Sequence, residues 1–130
     1  MNPLRPILIA IALSLAIVAP ASAQNFQRGN EAYERGDFAT ALREWRPLAD
    51  MGSAPLQALV ADIYVKRKDY VNAARYHRMA AEQGRHISQE KLGIHYLLGW
   101  GVPKDFVLAY MWTNLAAAQG SDDATQRLKK

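Results

Sequence analysis

The chain has 130 residues, a formal charge of +4 and no cysteine. Without thiols it can form no disulfide, no thiolate metal site and no thiolate nucleophile, so its stability has to come from packing. Basic and acidic residues are interspersed, and no aromatic platform alternates with the short Lys66 to Lys68 cluster or the terminal Lys129 and Lys130, which speaks against nucleic acid as a partner.

Residues 1–23 read as a secretory signal peptide. Arg5 precedes an apolar run from Ile7 to Val18, followed by Pro20 and the small-residue site Ala21, Ser22, Ala23, with cleavage expected after Ala23. The run is about 12 residues, short of the roughly 20 needed to span a bilayer. With no cysteine at the cleavage site to carry a lipid, the expected product is soluble, periplasmic or secreted. It has no integral membrane segment, and its length suits one compact domain.

From residue 25 the chain repeats itself. Asp105, Phe106, Ala109, Ala117 and Gly120 recur as Asp69, Tyr70, Ala73, Ala81 and Gly84, and again as Asp37, Phe38, Ala41, Ala49 and Gly52. The steps are 32 and 36 residues, a period that marks a stacked array, and the four extra residues fall at Gly99 to Val102. Each Asp suits an N-cap, because its carboxylate can accept from free N–H groups of the helix it opens. Each Gly suits the left-handed residue that closes a helix. Between them lies a helix of about 14 residues, with Ala four positions after the Asp so that a neighbour can approach closely. On one face stand Phe38, Leu42, Trp45 and Ala49 in the first copy, and Phe106, Tyr110, Thr113 and Ala117 in the last.

Each capped helix follows another helix-compatible segment: about Phe26 to Arg35, Pro55 to Lys68 and Ile87 to Leu98. Ser53 and Ser121 are further candidate caps. The units are residues 25–53, 54–85 and 86–120, and the polar 121–130 reads as a C-terminal capping helix. No period-two alternation marks a strand. The fold class is all-α, an α-solenoid of antiparallel helix hairpins.

The candidate chemistry is thin. His77, His86 and His95 recur every nine residues, which on a continuous helix sets neighbours half a turn out of phase, and Gly84 interrupts the run. No metal site is expected, and His77 is expected to be a packed structural residue in the position of Trp45 and Thr113. His95 is a candidate for the groove. Asp37, Asp69 and Asp105 are one structural position three times over, Asp122 and Asp123 suit a helix start, and no nucleophile elbow or phosphate loop is present. No catalytic residue and no cofactor is expected. Trp45 and Trp112 read as core. Trp100, between Gly99 and Gly101, either anchors a partner or tucks against the neighbouring unit.

The third unit, with Leu92, Gly93, Tyr96, Gly99, Gly101, Val102, Asp105, Ala109, Trp112, Ala116, Ala117 and Gly120, closely resembles the Sel-one-like repeat (SLR), a relative of the tetratricopeptide repeat. The second, with Ala61, Tyr64, Asp69, Tyr70, Ala73, Tyr76, Ala80, Ala81 and Gly84, matches without the four-residue turn. The first, with Gly29, Gly36, Asp37, Phe38, Ala41 and Trp45, looks more like a plain tetratricopeptide unit, and its Tyr33 is one place out of register with Tyr64. The resemblance implies a solenoid whose leading helices line a concave surface that holds a peptide or a protein. Carried onto this sequence, the groove-facing positions are Asn30, Tyr33, Asp62, Lys66 and Glu90, to which Trp100 is added for its place in the Gly-rich turn. The expected function is a non-enzymatic adaptor. The alternatives are self-association through the solenoid ends and an envelope-polymer-binding or hydrolytic protein.

Overall fold

A computed structural model describes residues 20–120 together with Gln126 and Lys129. It contains six helices: α1 (Ala21–Glu34), α2 (Phe38–Asp50), α3 (Ala54–Lys66), α4 (Tyr70–Glu82), α5 (His86–Leu98) and α6 (Phe106–Ala118). No strand occurs among the described residues, and each helix packs chiefly on its neighbours in sequence, which makes the molecule an all-α solenoid. No helix among the described residues is long and apolar enough to cross a membrane. The expected leader up to residue 19, and the capping helix over 121–130 apart from Gln126 and Lys129, lie outside the described residues.

The repeated polar positions act as the sequence implies. The Asp37, Asp69 and Asp105 carboxylates accept from the backbone N–H of Thr40, Asn72 and Leu108, and the Ser53 hydroxyl accepts from that of Leu56. Gly52, Gly84 and Gly120 close the trailing helices with φ between 89° and 114°. Two boundaries differ from expectation. Helix α1 begins at Ala21 rather than near Phe26, so the expected cleavage site falls in its first turn, and α3 stops at Lys66 because Lys68 turns left-handed at φ 59°. Lys68 stands where the first unit has Gly36, 32 residues earlier at φ 77°.

Pairs of small and large residues set how closely each hairpin closes. Gly29 on α1 faces the Trp45 indole on α2, and a Cβ on Gly29 would stand 2.2 Å from Trp45 Nε1. Gly93 faces Thr113 in the same way, and Ala61 and His77 occupy the equivalent positions between them. The one-residue slip of Tyr33 has a structural meaning. Ala32, fully buried, fills the core slot taken by Tyr64 and Tyr96 in the later units, while Tyr33 turns to the groove beside the register of Val65.

A second repeated device lies in glutamines that the motif reading passed over. Gln57 donates to the Ala49 carbonyl and accepts from Gln83, and Gln89 donates to the Ala81 carbonyl and accepts from Gln119. Each pair ties the end of one trailing helix to the next unit. Gln57 and Gln89 are only 2% exposed, so these bonds are made away from water, where an unmade one is costly.

Trp45 is core, at 1% exposure. Trp112 is half-buried, packed against the cluster of Leu92 and Tyr96 rather than enclosed.

Candidate functional site

The leading helices α1, α3 and α5 converge on one cleft of about 330 Å³. Tyr33 enters from α1, Asp62, Val65 and Lys66 from α3, Lys91, Ile94 and His95 from α5, and Trp100 from the turn before α6, with His77 at the floor. Four of the six residues expected to face a groove therefore share one site: Tyr33, Asp62, Lys66 and Trp100. Asn30, on the same register as Asp62 and Ile94, is half-buried, bonds to Glu34 and stays outside the cleft lining. Glu90 departs from the expectation. It is 8% exposed and outside the lining, because it stands in the α5 position of the buried Ala58 of α3, 32 residues earlier.

The walls combine apolar surface with fixed charge. Lys66 Nζ stands 5.4 Å from the Tyr33 ring centre and 5.1 Å from that of Phe38, so the aromatic faces hold the ammonium at the rim. Lys91 Nζ lies 3.9 Å from Asp62. Trp100 tucks inward, stacked on Tyr70 with centroids 4.7 Å apart, and still presents an edge to the cleft. Gly101 makes that fit possible, since a Cβ there would stand 2.0 Å from the Tyr70 carbonyl oxygen.

Beneath the cleft runs a buried polar chain. Asp62 Oδ1 lies 3.1 Å from His77 Nε2, His77 Nδ1 lies 2.9 Å from His95 Nε2, and His95 Nδ1 lies 2.8 Å from the Trp100 carbonyl oxygen. A carbonyl and a carboxylate can only accept, so His95 Nδ1–H donates to Trp100 and His77 Nε2–H to Asp62. The ring-to-ring bond needs one more proton. Burial would raise the Asp62 carboxyl, but the hydrogen bond from His77 and the charges of His77, Lys91 and Lys66 outweigh it and hold the group below the usual carboxylate range. Burial depresses His95, against the bond to Trp100, and the charges of His77 and Lys91 add to the depression.

The nine-residue spacing gave no hint of this pair. On one continuous helix the two rings, five turns apart, would share a face but stand about 27 Å from each other. Gly84 ends the turn after α4, so His77 and His95 sit on facing helices instead. His95 reaches the groove as part of its wall, at 2% exposure. Their ring nitrogens are committed to the relay, and among the described residues no three metal-type side chains converge. No serine, threonine or cysteine lines the cleft.

Comparison with known proteins agrees with the geometry. A model of the Sel1 repeat matches residues 59–84 and 86–121. A Sel1 repeat protein from Oxalobacter formigenes superposes with a TM-score of 0.71 at 32% identity, covering 83% of this chain and 87% of that one. The protective antigen c5321 of uropathogenic Escherichia coli, which displays an SLR fold, superposes at 0.74 and 28% identity, over 82% of this chain and 25% of the antigen. Among curated proteins, the alginate biosynthesis protein AlgK of Pseudomonas syringae pv. tomato is 34% identical over 98 residues, and the human protein sel-1 homolog 2 is 30% identical over 103. Those alignments take in 71% and 73% of this chain, which spans only 21% and 15% of the two relatives' lengths.

Proposed function

The chain belongs to the Sel1 repeat family, and from that membership we propose that it is an exported, non-enzymatic adaptor that holds a peptide or protein segment in the cleft between α1, α3 and α5. One observation carries the reading: three successive leading helices and the Trp100 turn present apolar and charged side chains to a single cleft, of a size that suits a few residues of a bound chain. Val65, Ile94 and the Trp100 edge supply apolar contact, and Lys66 and Lys91 supply charge at the rim. The leader-like residues 1–23 support export.

The test is site-directed photocrosslinking in the native envelope fraction, with the photoreactive residue at Ile94 in the cleft or at Arg43 on α2 as control. One defined protein joined at Ile94 alone, and lost when Lys66→Glu is added, supports the adaptor. Equal labelling at both positions sinks it.

A second reading, binding of an anionic envelope polymer, is favoured by the relative named for alginate biosynthesis and by the ammonium groups of Lys66 and Lys91 at the cleft. Retention on immobilised alginate that Lys66→Glu abolishes would favour it over the peptide.

A further inference from the structure

The trailing helices carry a second surface, built from residues that the cleft does not use. Six and nine residues after the capping Asp37 stand Arg43 and Arg46, and the same two places after Asp69 hold Arg75 and Arg78. In the third unit those places hold Met111 and Asn114, so the basic pair belongs to α2 and α4 alone. All four arginines are exposed, as is Arg67 in the turn between α3 and α4.

The five form one strip. Arg43, Arg46 and Arg67 line a groove of about 690 Å³ between α2 and the start of α4, about twice the volume of the cleft. Arg46 meets the Tyr76 hydroxyl, and the Arg75 guanidinium lies 5.5 Å from the centre of the Tyr76 ring, so Tyr76 joins the groove to the second pair. Arg78 donates to the Tyr96 hydroxyl and lies 5.7 Å from the centre of that ring. Neutral phenols thus position three of the guanidinium groups without cancelling their charge. Nearby carboxylates leave it largely uncancelled as well. Asp69 accepts from Asn72 with both oxygens, and Asp50 accepts from Tyr76. Glu82 borders Arg75 and Arg78, yet among the described residues none of the five arginines stands within ion-pair distance of a carboxylate.

We infer that the strip binds a polyanionic polysaccharide, an extended chain whose carboxylates recur along its length. A guanidinium is a planar fork that pairs bidentately with a carboxylate, and arginine pairs that repeat from one unit to the next suit a ligand whose charges repeat. The groove lining selects the class of macromolecule. The only apolar side chains that the described residues bring to it are Ala39, Leu42 and Tyr64, and the last two are each 6% exposed. An acidic protein segment would find no pocket there for an anchoring side chain, whereas a chain of acidic sugars needs none. The groove and the cleft share no lining residue, so both can be filled at once and neither reading depends on the other.

The probe is immobilised polygalacturonate, offered to the full chain beside poly-L-glutamate, phosphatidylglycerol vesicles and uncharged dextran. Retention on polygalacturonate well above that on the other three is expected. It should be lost as added salt screens the charges, lost in the double variant Arg43→Glu with Arg75→Glu, and kept in Lys66→Glu. In the unsubstituted chain the polymer should block phenylglyoxal modification of Arg43, Arg67 and Arg75 and leave Arg28 and Arg85 as reactive as before, a readout that stands whether or not the double variant folds. No retention on polygalacturonate, retention by the double variant, unprotected strip arginines or a loss in Lys66→Glu overturns the inference. So does equal or stronger retention on poly-L-glutamate, which would assign the strip to an acidic protein, or on the vesicles, which would assign it to a lipid surface.

Discussion

His77 Nδ1 and His95 Nε2 stand 2.9 Å apart beneath the cleft, one ring bonded outward to Asp62 and the other to the Trp100 carbonyl. The relay joins α3, α4, α5 and the Gly-rich turn, so a change in its protonation acts on the packing of the second and third helix pairs and on the seat of Trp100.

Its pH dependence has a defined sign. His95 is depressed by burial, so its stabilising contribution is complete above the unfolded value of about 6.5 and is lost as pH falls toward the folded value. Asp62 is also held low, so its contribution is present above about 3.9 and is lost in a second, more acid range. The melting temperature is expected to decline from just below neutrality and again in the carboxylate range. His95→Gln should remove the first decline and leave the second; an identical profile in native and variant proteins would refute the assignment.

Removal of either ring should cost more than its packing. In His77→Leu the buried His95 Nε2 loses its partner, for a cost of about 1–3 kcal/mol. The two losses should not add: a double-mutant cycle on His77 and His95 is expected to give a coupling of about 0.5–3 kcal/mol by urea unfolding, whereas additivity would mean the rings are neighbours without a bond.

Lys68 holds a left-handed conformation at φ 59° that the first unit assigns to Gly36. A side chain there costs about 1–2 kcal/mol relative to glycine, part of which returns as unfolded-state entropy in the glycine variant. Lys68→Gly should therefore raise stability by about 0.5–1 kcal/mol, and the exposed lysine loses no described contact. A drop in melting temperature would contradict this.

The small residue of the first hairpin tolerates no growth. Trp45 is 1% exposed and its indole N–H donates to the Phe26 carbonyl at 3.1 Å, so it cannot retreat from a Cβ on Gly29. Gly29→Ala is expected to destabilise by about 1–3 kcal/mol despite the better helix propensity of alanine, a sign readily checked by thermal melting.

Gln57 bridges the Ala49 carbonyl and Gln83 with both ends of its amide. Gln57→Met keeps the volume but removes both bonds; the Ala49 carbonyl keeps the Gly52 N–H and the Gln83 amide keeps the Gly52 carbonyl, so the expected cost is that of two lost bonds, about 0.5–1.5 kcal/mol each. Gln27→Met on the exposed side of α1 serves as the comparison and should change stability by less than about 0.5 kcal/mol.

The local architecture was determined by the sequence itself. Caps at Asp37, Asp69 and Asp105, closing glycines and the buried alanines follow from backbone chemistry within one turn of each residue, and their recurrence discloses a stack before any contact is known. The groove was legible in part: register against related repeats reached Tyr33, Asp62 and Lys66, but it also selected Glu90, which packing buries. Only the tertiary structure decided what depends on approach between helices. It brought His77 against His95, turned Trp100 onto Tyr70 through the contact that Gly101 permits, and joined Gln57 and Gln89 to the units before them. It also left Phe106 and Tyr110 in water. The reason is physical. A helix's own periodicity fixes which residues share its face, whereas the distance and tilt of the next helix, set by side-chain volumes such as Gly29 against Trp45, decide which faces meet.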